Sequence, residues 1–129
     1  MNFEIGSCIY RFTLDCSTNP VTIIRHTFQV VEIISKTETY YLKDRYRFRC
    51  LEDPTLKFRD GYSVSLDDSD FNKIRMYGNR MYVLLTSDNA QEALEIAGKY
   101  LKDKRNALSK NLLDIETKCS KFEAFYIDF

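Results

Sequence analysis

The hydrophobic positions of this chain follow two periods, one on each side of residue 88. Before it, apolar and polar residues alternate in short runs, which is typical of strands that bury one face. After it, apolar residues recur at helical spacing, and five lie seven positions apart: Leu94, Leu101, Leu108, Ile115 and Phe122. The pattern predicts an α+β fold, with about six antiparallel strands followed by one long C-terminal helix over residues 88–121.

The alternation places the first three strands at residues 3–14, 21–35 and 39–50. A change of phase at Gly6-Ser7 indicates a β-bulge, and bulges bend the strands that contain them. Short connecting loops are typical of curled sheets. Residues 1–85 are therefore predicted to form a strongly bent antiparallel sheet or a small β-barrel.

Two hairpins complete the predicted sheet. Residues 55–66 turn at Asp60-Gly61, and residues 71–85 turn at Gly78-Asn79. Both dipeptides are typical of tight turns between strands. A two-residue loop in the second hairpin would place Met76 opposite Met81 and Ile74 opposite Val83.

The end of the chain changes pattern again after Lys121. Phe125, Ile127 and Phe129 alternate with Tyr126 and Asp128. This alternation predicts a short aromatic strand over residues 122–129, inside a single domain that spans residues 1–129.

The seven-residue apolar seam of the helix has two interpretations. It can pack on the sheet, which the small residues early in the helix and the extra width at Leu112 and Cys119 favour. It can also pair with a second copy or a partner, because a helix of this length spans about 50 Å at 1.5 Å per residue. Lys104 and Lys118 fall at positions that should form the other apolar half of the seam, and this argues against a standard zipper. The residues predicted for dimer or partner packing are Leu108, Leu112, Ile115, Phe122, Phe125 and Tyr126.

The composition limits which functions are plausible but does not identify one. The 129 residues include 19 Lys and Arg against 19 Asp and Glu, so the chain lacks the overall positive charge of a general nucleic-acid binder. Its N-terminus has no secretory pattern, and no apolar run reaches the length of a membrane span. The four scattered cysteines are therefore predicted to be reduced, in a cytoplasmic protein with no membrane partner.

The clearest candidate site is a row of cations on the third strand. Lys43, Arg45, Arg47 and Arg49 share one face by the two-residue period, and Lys57 and Arg59 of the next hairpin widen the row. Such a row is the solvated face of an amphipathic strand, a contact for a partner protein, or a nucleic-acid surface with interleaved tyrosines.

No set of residues indicates catalysis or a cofactor. The acidic run Asp67-Asp68-Ser69-Asp70 lacks the rest of a Ca²⁺ loop and is interpreted as a polar turn. His26 is the only histidine, and neither a nucleophile signature nor a clustered zinc-ligand set accompanies it. The sequence predicts a non-enzyme with no metal or cofactor.

The last hairpin and the helix start, Arg80-Met81-Tyr82-Val83-Leu84-Leu85-Thr86-Ser87-Asp88-Asn89-Ala90-Gln91-Glu92-Ala93, carry a resemblance. Over about residues 71–121 the chain resembles small proteins of phages and mobile elements, in which a bent sheet ends in a Thr-led cap and a long charged helix. Some of those proteins inhibit host defence, anti-CRISPR proteins included. The resemblance implies a stoichiometric binder and assigns no functional residue.

The predicted function is therefore that of a non-enzymatic, phage-type inhibitor that binds a host nuclease or defence complex in the cytoplasm of the infected cell. Its target would be a host protein or ribonucleoprotein. A small nucleic-acid-binding β-barrel and a structural or assembly protein of a phage are the alternatives. A homodimer through the C-terminal helix is a further predicted partner arrangement.

Overall fold

The computed structural model describes residues 2–37 and 42–127, with side chains as far as residue 124. Over these ranges it contains five strands, one short 3-10 helix and one α-helix: β1 (Cys8–Asp15), β2 (Thr22–Ile34), β3 (Arg45–Cys50), the 3-10 helix (Asp68–Asp70), β4 (Ile74–Tyr77), β5 (Arg80–Leu85) and α1 (Ala90–Ile127). Internal contacts divide the chain into two compact units, Met1–Ile96 and Ala97–Phe129.

The five strands form one antiparallel sheet in the order β3-β2-β1-β5-β4. The predicted α+β class, antiparallel sheet and long C-terminal helix are confirmed. The described part of the sheet is open, with β3 and β4 at its edges, so it is not a barrel, and it has five strands rather than about six. The third strand begins at Arg45 rather than at residue 39, and residues 38–41 lie outside the described ranges.

The hairpin of β4 and β5 has the predicted register. Met76 pairs with Met81 and Ile74 pairs with Val83, across a loop at Gly78-Asn79. Gly78 has φ +61°, in the left-handed region that glycine adopts without steric cost, and this conformation suits the two-residue loop.

One face of the sheet is covered by the irregular segment between β3 and β4. Ile9, Phe28, Cys50 and Leu84 of the strands form a buried cluster with Leu66 and Phe71 of that segment, and Leu56, Phe58 and Val64 pack against it. The predicted hairpin at residues 55–66 is wrong. Its apolar residues alternate because they cover the sheet, and within it only Val64 makes a strand-like pair, with Tyr46 (N···O 2.7 and 2.9 Å).

The helix α1 begins two residues later than predicted and ends six residues later. Asn89 caps it, because its Oδ1 accepts the backbone N–H of Glu92 at 3.2 Å. The terminal strand predicted for residues 122–129 is wrong for residues 122–127, where the helix continues, and residues 128–129 lie outside the described ranges. Phe122 and Tyr126 are four positions apart, so the same aromatic residues also fit a helical period.

The apolar seam of α1 is exposed from Leu101 onward. The exposed fractions are 47% for Leu101, 66% for Leu108 and 57% for Ile115. Of the two interpretations of the seam, packing on the sheet requires these side chains to be buried, and they are not. The helical period itself is right, because a seven-residue repeat specifies one stripe without specifying what covers it.

Candidate binding surface

The cationic row of β3 follows the predicted alternation. Tyr46 and Cys50 are buried, whereas Arg47 is half-buried and Arg49 is exposed. Arg47 and Arg49 line a cavity of about 620 Å³. Lys57 and Arg59, from the segment that covers the sheet, line the same cavity. Four of the six residues predicted to bind a partner are therefore brought together.

Aromatic rings lie between these cations. Phe48, Phe58 and Tyr62 also line the cavity. The guanidinium carbon of Arg47 lies 5.5 Å from the ring centre of Tyr62, and that of Arg59 lies 5.2 Å from the ring centre of Phe58. Both distances are typical of cation–π contacts. Tyr62 is 66% exposed, so its ring is accessible to a ligand.

A second cavity, of about 380 Å³, adjoins the first. Phe58 and Arg59 line both cavities, so we describe the linings of the two together. We call this the basic-aromatic surface, and its charged and aromatic members are Arg47, Phe48, Arg49, Lys57, Phe58, Arg59 and Tyr62 of the first cavity with Arg11, Asp70, Lys73, Arg75, Tyr77 and Tyr82 of the second.

Arg11 lines the second cavity and has two contacts with aromatic residues of the chain. Its guanidinium donates to the carbonyl oxygen of Phe58 at 3.1 Å and lies 4.8 Å from the ring centre of Phe28. Burial lowers the pKa of Arg11 from its ordinary value, yet a guanidinium stays charged at neutral pH. Its buried Nε has no hydrogen-bond partner among the described residues. Arg11 therefore adds a positive charge to this surface.

The basic-aromatic surface is strongly positive although the chain is neutral. Seven cationic side chains and one carboxylate, that of Asp70, line the two cavities. Asp70 Oδ1 accepts from both Arg59 and Arg75 at 3.3 Å. Desolvation raises the pKa of Asp70, but the backbone N–H of Asp67 and the guanidinium of Arg59 outweigh it and hold that pKa below its usual value. Asp70 is thus ionised and orients two arginines.

Lys43 and Arg45 lie outside both cavities. Lys43 forms an ion pair with Asp67. Arg45 donates from Nε to Ser63 Oγ at 2.8 Å and from a terminal nitrogen to the Ser63 carbonyl at 2.6 Å. Lys43 lies just before β3 and Arg45 lies on it, and their contacts hold the covering segment against this part of the chain.

The sequence did not identify the second half of this surface. Arg11 lies far along the chain from Lys73 and Arg75, and the predicted hairpin of residues 71–85 assigns no role to Tyr77 or Tyr82. The available signal was the hairpin register, which sets Arg75 directly opposite Tyr82. Arg11 could be placed only through the pairing of β1 with β5, which puts it opposite Leu84.

The acidic run at residues 67–70 is a structured turn, as predicted. Asp67 and Asp70 form the capping box of the 3-10 helix, and both carboxylates face cations of the chain. Within residues 2–37 and 42–127 no group of three or more His, Cys, Asp or Glu side chains is placed to hold a metal ion. His26 lies 6.5 Å, ring centre to ring centre, from Phe28.

Comparison with family models, with curated proteins and with solved structures finds no match to this chain. Among the described residues, no helix has both the length and the apolar character that crossing a membrane requires.

Proposed function

We propose that the protein is a non-enzymatic binding protein whose basic-aromatic surface holds single-stranded nucleic acid. One observation carries the proposal: cations from β3 and from the covering segment converge on a cavity with accessible aromatic rings. Cations neutralise the phosphates of a bound strand, while rings stack on its bases whatever their sequence. A neutral chain with this local excess of cations would bind nucleic acid at this one place.

The exposed rings favour a single strand over a duplex. Tyr62 and Tyr77 are 66% and 65% exposed, and each lies beside cations of the surface. The bases of a duplex are stacked on each other and present only their edges, whereas an unpaired strand offers base faces to such rings. A ring next to a guanidinium can hold a base and its phosphate together.

The arginines of the first cavity are positioned before any ligand arrives. Arg47 lies 3.4 Å from a carboxylate oxygen of Glu32, and the hydroxyl of Tyr62 donates to the same carboxylate at 3.2 Å. Arg49 contacts Gln29 Oε1 at 3.4 Å. These are long contacts at partly exposed side chains, which contribute little stability. The phosphate oxygens of a ligand can therefore replace Glu32 and Gln29 as partners of the guanidinium groups at a small cost in free energy.

A partner protein with an acidic surface is the second candidate. The Arg47–Tyr62 pair favours it, because arginine and tyrosine are enriched among the residues that dominate protein interfaces. This is the stoichiometric inhibitor of a host defence complex that the resemblance to phage-encoded proteins implies. It would use the same surface, so affinity for oligonucleotides separates the two functions.

The test is fluorescence anisotropy with a labelled single strand of about 20 nucleotides and its duplex, at about 50 mM and about 200 mM salt. We expect tighter binding of the single strand. Each phosphate contact contributes roughly −0.7 to the slope of log affinity against log salt, so the four cations of the first cavity give a slope of roughly −3.

Matched variants locate the contact. Arg49→Glu combined with Lys57→Glu should weaken binding at least about tenfold, because two phosphate contacts become repulsive. Lys36→Glu makes the same type of charge change at an exposed residue that lines neither cavity, and should bind like the wild type.

A second pair of variants separates stacking from hydrogen bonding. Tyr62→Ala should lose about 1–3 kcal/mol of binding free energy, whereas Tyr62→Phe, which keeps the ring, should retain affinity. Absence of single-strand binding at low salt would exclude the nucleic-acid function. A protein retained from a host lysate by the wild type, and lost with Arg49→Glu and Lys57→Glu, would then favour the second candidate.

A further inference from the structure

The C-terminal half of α1, within the unit Ala97–Phe129, carries an exposed apolar stripe. Leu108, Leu112, Ile115 and Phe122 are all more than half exposed, and Cys119 is exposed as well. Scattered exposed apolar residues are normal in soluble proteins, but a contiguous stripe of this kind marks an interaction surface.

The stripe has the spacing of a coiled coil. The steps from Leu108 to Leu112, Ile115, Cys119 and Phe122 are four, three, four and three residues. This is the alternation of a and d positions in a heptad, with Leu108, Ile115 and Phe122 at d and Leu112 and Cys119 at a. The assignment puts Lys118 on the flank, so a lysine no longer counts against pairing.

The apolar seam does not continue toward the N-terminus beyond Leu108 at both heptad positions. The a positions that precede Leu112 are Arg105 and Gly98, which do not extend an apolar core. The paired segment therefore runs from Leu108 to Phe122, which is two heptads. Because a short coiled coil buries little surface, its dimer should form at high protein concentration and dissociate on dilution.

The charges beside the seam favour a second copy in parallel orientation. Lys118 occupies a g position, and Glu116 and Glu123 occupy e positions. In a parallel, in-register pair the g residue of one helix faces the e residue five positions later on the other. Lys118 would then face Glu123 of the partner subunit, twice in each dimer. An antiparallel pair would set e positions against each other and bring the glutamates together.

We propose that the protein forms a parallel, in-register homodimer through residues 108–122 of α1. Matching a positions face each other across the axis of such a dimer, so Cys119 lies opposite Cys119 of the partner subunit. The proposal uses only residues of the unit Ala97–Phe129, and it does not depend on the function proposed for the sheet.

Two leucines provide a matched pair of variants. Leu112 lies in the seam at an a position, and Leu113 lies outside it at a b position, yet both are exposed, at 57% and 62%. We expect Leu112→Glu to raise the dimer dissociation constant at least about tenfold, because it puts a charge in the core of the pair. Leu113→Glu should dimerise like the wild type.

Light scattering coupled to size-exclusion chromatography, over about a hundredfold range of protein concentration, measures the dissociation constant. Far-UV circular dichroism of both variants checks that α1 remains helical. A wild-type chain that stays monomeric at the highest concentration would overturn the proposal, as would equal effects of the two substitutions.

Oxidation tests the orientation. In a chain with Cys8→Ser and Cys16→Ser, two Cys119 thiols that face each other form one disulfide, while two electrons and two protons pass to an added diazene oxidant. A non-reducing gel should show a covalent dimer that Leu112→Glu suppresses and Leu113→Glu does not. A dimer in solution that gives no Cys119 cross-link would refute the parallel register.

Discussion

The carboxylate of Glu52 links the end of β3 to β2 and gives a sharp test of the fold. It accepts the backbone N–H of Thr27 at 2.7 Å and the hydroxyl of the same residue at 2.6 Å. Thr27 is only 7% exposed, and its carbonyl oxygen accepts the N–H of Leu51. The carboxylate thus continues the pairing of the two strands by one step beyond Cys50.

The hydrogen bonds from Thr27 determine how this contact depends on pH. Desolvation raises the pKa of Glu52, but those hydrogen bonds outweigh it and lower the pKa from 4.5 to about 2. A carboxyl whose pKa falls on folding stabilises the folded state above its unfolded pKa and loses that effect as pH drops through the folded one. The contribution is therefore complete above about pH 4.5 and disappears toward pH 2.

The magnitude follows from the same two values. The difference between 4.5 and about 2 corresponds to roughly 3 kcal/mol at 1.36 kcal/mol per pH unit. Because the side chain is 34% exposed, solvent screening reduces this to about 1 kcal/mol. Glu52→Gln removes the charge and keeps the shape, so we expect it to lower the free energy of unfolding by about 1 kcal/mol near neutral pH.

Urea denaturation at about pH 7 and about pH 3 measures this difference between the wild type and Glu52→Gln. The gap should narrow in acid, because the wild-type carboxyl begins to lose its advantage below its unfolded pKa. Glu95→Gln, at an exposed position in the first turns of α1, is the control and should change neither value. Equal stability of the two proteins at pH 7, or a gap that is unchanged at pH 3, would refute the reasoning.

Two further predictions concern the cap and the core, and both are measured by equilibrium unfolding. Asn89→Ala should lower the free energy of unfolding by about 1 kcal/mol, because the N–H of Glu92 loses its acceptor, while Asn89→Asp should restore it. Phe28→Ala should remove about 3–5 kcal/mol, because the ring is fully buried and packs edge-on against Phe58 at 5.1 Å. If the denaturation midpoint of either alanine variant equals that of the wild type, the corresponding contact does not stabilise the fold as predicted.

The parts of the fold that were predictable are those whose pattern is local. The register of β4 and β5 follows from one short loop, because Gly78 and Asn79 leave only one way to pair the flanking residues. The alternation of Tyr46 and Cys50 with arginines likewise identified the buried side of β3. In each case the neighbours in space are also neighbours along the chain.

The errors have the opposite cause. Leu56, Phe58 and Val64 alternate like a strand, yet most of that segment makes no ladder, because alternation reports which side chains are buried and not where the backbone hydrogen bonds go. The aromatic residues after Lys121 fit the two-residue period of a strand and also the period of a helix. The helix that precedes them continues through them. Tertiary context therefore overrides a short pattern that two structures can share.

The candidate site was predictable only as far as it lies on consecutive elements. Arg47, Arg49, Lys57 and Arg59 come from one strand and the segment that follows it, so their convergence could be anticipated. Arg11 joins them through the pairing of β1 with distant β5. Such a pairing depends on the order of strands in the sheet, which the sequence did not determine.

The nucleic-acid proposal depends on the sheet and its covering segment, whereas the dimer proposal depends on α1, so their tests are independent. A strand that engages a single basic-aromatic surface binds a monomer and a dimer with the same intrinsic affinity, so Leu112→Glu leaves that affinity unchanged. An oligonucleotide long enough to reach the basic-aromatic surfaces of both subunits can bind the dimer more tightly than the monomer. The second surface is then present at a high effective concentration, provided that the dimer geometry lets one oligonucleotide contact both. A variant that loses binding to short oligonucleotides therefore tests the basic-aromatic surface, whereas a loss confined to long oligonucleotides tests the dimer of α1.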